Sequence, residues 1–335
     1  MKHLTCFFIG YLLFTINVFS HAKGINFEDT SWATILKTAK TENKYIFIDA
    51  YAEYCLPCKV MEKETFSQSI IGDFFNQNFV SYKMDIEAIK NDYLVQIYKI
   101  RELPALLFLS PEGELIQKII GKQDISPLLE LGNKVIDKTG NVPVVKEDDS
   151  LIPLEQLLGD IDSYKIRHGG HKINWMVKQQ TYKEVLQTAY KKDVFSFQKI
   201  ISAMSKANLP DRDRFTFNMQ TLFYQMIEDW NSYFEVTSNY LSIKKNTKPK
   251  QLNEIAWNYY LHIEDPQQLK QAIQWIEKSI KIESEYYNNY TYTSLLYKTG
   301  EIKKANKVAK KASYMASARG IDDSDLIHLV EKNTK

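Results

Sequence analysis

A chain of 335 residues is longer than one hydrophobic core ordinarily spans, so two domains are expected. The 43 Lys and Arg against 41 Asp and Glu leave a formal charge of +2, which gives no electrostatic footprint for nucleic acid or an anionic surface. The local run Lys244, Lys245, Lys248, Lys250 reads as a solvated loop, so no nucleic-acid partner is expected.

The chain opens with Lys2 and His3, a mostly apolar run from Leu4 to Phe19, and Ser20-His21-Ala22, which puts small residues at the −3 and −1 positions of a cleavage site. That is the three-part layout of a secretory signal, predicting residues 1–22 as a signal peptide cut after Ala22. The protein would then be exported, to a periplasm or another extracytoplasmic space. A retained anchor fits less well, because a spanning helix wants about 20 apolar residues and Asn17 interrupts the run. Cys6 lies inside the signal and lacks the small-residue setting of a lipid anchor. The mature chain keeps Cys55 and Cys58, in a compartment where paired thiols are readily joined.

Residues 27–138 alternate helical and strand patterns. Trp32, Ile35, Leu36 and Ala39 recur at helical spacing, with Asp29 or Thr30 placed to cap. Tyr45-Ile46-Phe47-Ile48 is a nearly continuous apolar run, as a strand buried on both faces requires. A helix follows from about Pro57, breaks near Ser67-Gln68-Ser69 and restarts through Ile70, Ile71, Phe74 and Phe75. Phe79 to Met84 reads as a strand and Tyr93 to Tyr98 as a helix. Ala105–Leu109 and Leu115–Ile120 read as strands joined by the turn Ser110-Pro111-Glu112-Gly113, and Leu128 to Val135 closes the unit as a helix. The order α-β-α-β-α-β-β-α predicts an α/β sandwich around a mixed central sheet flanked by helices, assigned to residues 23–138.

The stretch Lys138 to Ser150 has neither periodicity, and a linker is placed at 139–152. Beyond it, residues 153–335 read as an all-α domain. Helical spacing recurs near 154–166, 173–190, 194–207, 213–229 and 232–243, with Pro210 and Pro249 between segments. Ala272, Ile276 and Ser279 share their spacing with Ala305, Ala309 and Ala312, 33 residues on, with Gly300 before the second copy. Small residues at this spacing let paired helices approach closely, and over about 252–318 the pattern resembles tetratricopeptide repeats. Three or more repeats are usually needed, so the helices of 154–245 would supply degenerate units.

Cys55-Leu56-Pro57-Cys58 admits three readings. Zinc needs about four ligands and the pair supplies two, while His168, His171, His262 and His328 all fall outside the first domain, so no metal is expected. A purely structural disulfide between residues three apart closes too small a loop to remove much unfolded-chain entropy. Redox chemistry remains. Cys55 falls where a strand ends and a helix begins, where unpaired N–H groups and the helix dipole favour the thiolate that performs disulfide exchange. Cys58, one turn on and more buried, would attack the mixed disulfide and release substrate. Pro57 suits the first helical turn.

With Asp49, Ala52-Glu53, Cys55-x-Pro57-Cys58-Lys59, Leu103-Pro104, the following hairpin and Gly121, residues 27–138 resemble the thioredoxin family. The segment KVMEKETFSQSIIGDFFNQNFVSYKMDIE is most similar to the C-terminal domain of the bacterial membrane thiol:disulfide interchange proteins and their secreted relatives. The resemblance implies a Cys55–Cys58 disulfide in the oxidised form and Asp49 as proton acceptor for Cys58. It implies a cis Pro104 that, with Leu103, Tyr54, Leu56 and Pro57, borders the substrate groove. Tyr54 stands where the family usually has Trp and Leu56 where Gly is commonest, which leaves the direction of electron flow open. The implied activity is an exported thiol:disulfide oxidoreductase, mainly a reductase. It would act without cofactor on protein disulfide clients and draw on a membrane-bound electron donor. The alternative is an interaction protein whose helical half holds a protein partner and whose first domain is a platform.

Overall fold

The computed structural model describes residues 24–28, 30–137, 154–159, 161–162, 169–244 and 247–334. The expected signal peptide with Cys6, the linker at 139–152 and His168 lie outside the described residues.

The first domain runs β1 (Phe27–Glu28), α1 (Trp32–Glu42), β2 (Tyr45–Tyr51), α2 (Leu56–Met61), a π-helical turn (Glu62–Phe66), α3 (Ser69–Asn78), β3 (Phe79–Asp85), α4 (Asp92–Ile97), β4 (Ala105–Leu109), β5 (Leu115–Ile120) and α5 (Ile125–Asp137). The five strands form one sheet in the order β1-β3-β2-β4-β5, parallel on the β1-β3-β2 side and antiparallel from β2 to β4 to β5. Three details differ from expectation. The two-residue β1 was not foreseen, being too short to show alternation. Ser31, rather than Asp29 or Thr30, caps α1, its Oγ accepting from the Thr34 N–H at 3.2 Å. The helix after the cysteines widens into the π turn before its break at Ser67, and π turns inside helices recur at functional sites.

Alternation along β2 splits its side chains between two cores. Phe47 faces Met61, Phe66, Phe75 and Phe108 beneath α2, α3 and α5. Ile46, Ile48 and Ala50 face the opposite side, covered by α1 and α4. That second core continues without a break into the helical half: Trp32, Tyr93 and Tyr98 share it with Tyr182, Leu186 and Phe223.

The helical half comprises α6 (Leu154–Gly159), α7 (Gly170–Lys191), α8 (Val194–Lys206), α9 (Arg212–Ile227), α10 (Trp230–Ile243), α11 (Pro249–His262), α12 (Pro266–Ile282), α13 (Tyr286–Lys298), α14 (Ile302–Arg319) and α15 (Ser324–Thr334). No strand occurs among the described residues of this half. From α7 to α14 the helices pack as consecutive pairs. Asp193, Asp229, Asp265 and Glu301 occupy the N-cap position of the second helix of each pair, 36 residues apart every time. The three aspartates accept from the N–H three residues on, at 2.8–3.1 Å, which satisfies orphan donors of each helix start. This 36-residue spacing of helix starts differs from the 33-residue spacing that relates Ala272, Ile276 and Ser279 to Ala305, Ala309 and Ala312. Ala272, Ile276, Ser279, Ala305 and Ala312 are all fully buried, as close helix packing demands.

The halves are joined by specific bonds as well as by the shared core. The Trp32 indole N–H donates to the Tyr182 hydroxyl at 2.7 Å, and the Tyr182 hydroxyl also lies 3.4 Å from the Tyr98 hydroxyl. Lys178 donates to Gln96 of α4 at 2.6 Å, Arg214 pairs with Asp92 at 2.9 Å, and Lys250 at the start of α11 pairs with Asp85 at 2.7 Å.

Candidate functional site

The cysteine pair sits where the sheet hands the chain to α2. After β2 ends at Tyr51, the Cys55 N–H donates to the Ala52 carbonyl at 3.0 Å, closing a tight turn. Cys55 is the N-cap of α2, and its sulfur accepts the Cys58 N–H at 3.2 Å. Pro57 occupies the first turn. Cys55 and Cys58 are joined in a disulfide with a Cα–Cα distance of 5.3 Å. Both side chains are nearly buried, 5 % and 3 % exposed, too small a difference to separate the roles of attacking and resolving thiol by burial. Around this closed pair, Tyr54 and Leu56 stand out at 72 % and 69 % exposed.

Asp49 lies on the same face of β2 as Phe47, one step closer to the cysteine turn, on the side that α2 covers. It is 1 % exposed, and its Oδ1 has no hydrogen-bond partner among the described residues. Burial pushes its carboxyl up from 3.8 to about 7. Lys83, its register partner on β3, pulls in the opposite direction, and Glu62, paired with Lys83 at 2.5 Å, pushes up again. A buried carboxyl poised near neutrality can both take and return a proton.

The Leu103–Pro104 peptide bond is cis, and Pro104 is buried with Leu103 half-buried beside it. Ala105 pairs with Ala50, so Pro104 enters the sheet at the end of β2 from which the chain turns to Cys55. The Pro104 carbonyl accepts the Gly121 N–H at 2.8 Å. The structure thus gathers Asp49, Tyr54, Cys55, Leu56, Pro57, Cys58, Leu103 and Pro104 at one end of the sheet.

Sequence reasoning missed four participants. Lys83 and Glu62 set the charge around Asp49; a register count along β2 and β3 would have found Lys83, whereas no local signal marks Glu62. Thr65, in the π turn, donates to the Gln123 carbonyl at 3.1 Å, and the Gln123 N–H points at the Met61 sulfur at 3.3 Å. These contacts tie the loop after β5 to the helix that carries the cysteines. Among the described residues, no three His, Cys, Asp or Glu side chains gather as a metal site requires.

Residues 32–136 match the family model described as a thioredoxin-like domain. Residues 32–136 thus form a thioredoxin-like domain. The thioredoxin-like domain is 32 % identical over 109 residues to the thiol:disulfide interchange protein DsbD of Colwellia psychrerythraea, covering 30 % of this chain and 18 % of that protein. It is 26 % identical over 98 residues to DsbD of Pseudomonas fluorescens, covering 28 % and 17 %. The chain thus spans under a fifth of the length of these relatives. A solution structure from Bacteroides thetaiotaomicron, described as that of a candidate disulphide-isomerase, is 34 % identical with a TM-score of 0.33, covering 36 % of this chain and 98 % of that one.

Proposed function

We propose that the protein is an exported thiol:disulfide oxidoreductase that works mainly as a reductase, with Cys55 as attacking thiol and Cys58 as resolving thiol. The observation that carries this reading is the capping geometry: the Cys58 N–H donates to the Cys55 sulfur at the first turn of α2. In the reduced protein the same N–H, with the helix dipole behind it, favours a thiolate on Cys55 over one on Cys58. The Cys55 thiolate attacks a client disulfide, forms a mixed disulfide and expels a client thiolate. Cys58 then gives its proton to Asp49 and attacks Cys55. The Cys55–Cys58 disulfide closes, and the second client thiol leaves with the two electrons. Pro104, Leu103, Tyr54, Leu56 and Pro57 border the place where the client chain lies. Recharging Cys55–Cys58 outside the cytoplasm requires an electron donor held in the membrane. Export rests on the signal-like residues 1–22, and the tetratricopeptide-like reading of the second half on the 36-residue period of its caps.

The deciding measurement is the reduction potential of Cys55–Cys58 in glutathione buffers. A value near thioredoxin's ~−270 mV supports outward electron flow, and one near ~−120 mV makes the pair an oxidant and removes the reductase assignment. A second reading, that the helical half holds a partner, is favoured by the groove it forms against the first domain.

A further inference from the structure

Between β1 and α1 on one side and α11, α13 and the start of α15 on the other runs a groove of about 1200 Å³. It is open rather than enclosed, and it exceeds the roughly 300–1000 Å³ of ordinary small-molecule pockets. Its upper wall includes Tyr51 and Asp85, the last residues of β2 and β3, so the groove reaches the end of the sheet where Cys55 sits four residues beyond Tyr51.

Nine Asp and Glu side chains line this groove against four Lys. Three of those lysines are already tied to carboxylates, Lys37 to Glu228, Lys250 to Asp85 and Lys83 to Glu62, and two of the acids, Glu42 and Glu285, are paired with Lys44 and Arg319 from outside the lining. Glu283 and Asp325, both exposed, have no cation paired to them among the described residues. An anionic occupant would meet uncompensated repulsion, and a neutral one would leave the charge excess unused. The walls also carry a run of rings, Trp257 with Tyr290 at 5.6 Å and Tyr290 with Tyr286 at 6.1 Å, suited to aliphatic stems that end in a cation.

A separate observation identifies the backbone of the occupant. Gln251 of α11 is only 7 % exposed, lines the groove, and makes no side-chain hydrogen bond among the described residues. The amide atoms of Gln251 are not among the fully buried unpartnered ones and are open to the groove, whereas Asn253 Oδ1, on the same wall, is buried without a partner among the described residues. A side-chain amide offers one acceptor and two donors, which match the C=O and N–H of an extended chain.

We propose that this groove binds an extended polypeptide segment bearing lysine or arginine, through Gln251 to its backbone and through Glu283 and Asp325 to its cations. The binding needs no redox chemistry. Its use, to present basic disulfide clients to Cys55, rests on the oxidoreductase reading.

The test is fluorescence-anisotropy titration of the full chain with a labelled, cysteine-free peptide of lysine, serine and glycine, and with its counterpart carrying glutamate for lysine. The lysine peptide is expected to bind, more weakly as salt rises, and the glutamate peptide to show no binding. The exposed double variant Glu283→Lys/Asp325→Lys should weaken binding about fivefold or more. Gln251→Met should weaken it about threefold or more while leaving the thermal midpoint unchanged, since the Gln251 side chain makes no hydrogen bond within the fold among the described residues. Equal affinity for both peptides, or wild-type affinity in both variants, overturns the proposal. Adding a disulfide to the lysine peptide, with Cys55–Cys58 first reduced to the dithiol, separates the two readings. Binding without reduction sinks the oxidoreductase assignment and leaves the groove standing, whereas reduction that is equally fast in the double variant removes the groove from client choice.

Discussion

Asp49→Asn tests the link between burial and chemistry at the site most directly. In the folded protein burial raises the Asp49 carboxyl from 3.8 to about 7. A raised acid means that the native state holds a proton which the unfolded state has released between those values, so stability falls as pH rises across that window. The loss is complete above about pH 7 and amounts to about 4 kcal/mol from the size of the shift. Asn has the shape of the protonated acid and cannot ionise. Near pH 4 the variant should match wild type, and near pH 8 it should be more stable by up to about 4 kcal/mol. Urea unfolding of the oxidised protein at both pH values reads the difference. A gain of the same size at both would refute the argument, because a pH-independent effect cannot come from an ionisation. If Asp49 takes the proton of Cys58 as proposed, the same variant should turn over protein disulfides more slowly, and the rise of rate through about pH 7 should flatten. Faster unfolding with an unchanged pH–rate profile would leave Asp49 as a structural acid.

Other outcomes follow from the same geometry. Cys58→Ser should accumulate mixed disulfides with client proteins on Cys55, visible as reductant-sensitive adducts on a gel, and Cys55→Ser should not; equal trapping by both would reverse or remove the assigned roles. Tyr182→Phe strands the buried Trp32 N–H, which donates to it at 2.7 Å, and should cost about 1–3 kcal/mol. Because the core is continuous across the two halves, near-UV and far-UV signals should still lose structure in one transition, and two separated transitions would show that the halves fold independently. Gly72→Ala would place a methyl 2.1 Å from the Gly24 carbonyl oxygen, so the segment before β1 must shift. A loss of about 1–3 kcal/mol is expected in thermal unfolding, and an unchanged midpoint would mean that this segment contributes nothing.

Local pattern was sufficient for much of the first domain. Ala105–Leu109 and Leu115–Ile120 are strands at the limits the alternation and the Ser110–Gly113 turn imply, because a hairpin is a local object whose turn chemistry sets its register. Cys55 and Cys58 were legible because strand end, proline and helix start lie within a few residues. β1 and the π turn were not. Two paired residues carry no period, and a widened turn depends on what it packs against: here Phe66 against Phe27 and Phe47, and Thr65 against Gln123.

Residue order and spacing were enough to place Cys55 and Cys58 at a helix start and to give the second half its helical character, since spacing and residue type act over one or two turns. The 36-residue rhythm of Asp193, Asp229, Asp265 and Glu301 was also present in the sequence, hidden because a cap is one residue among many polar ones and becomes visible only when the helices it starts are known. Only the tertiary structure decided what Asp49 meets. Its raised carboxyl comes from complete burial, with Lys83 and Glu62 brought in from a neighbouring strand and a π turn. The same holds for the seam where Trp32 finds Tyr182, 150 residues away, and for the groove on whose wall Asn253 Oδ1 is buried without a partner among the described residues. Such contacts join residues distant in the chain, and desolvation is a property of everything that surrounds a group, so neither is written in any local stretch.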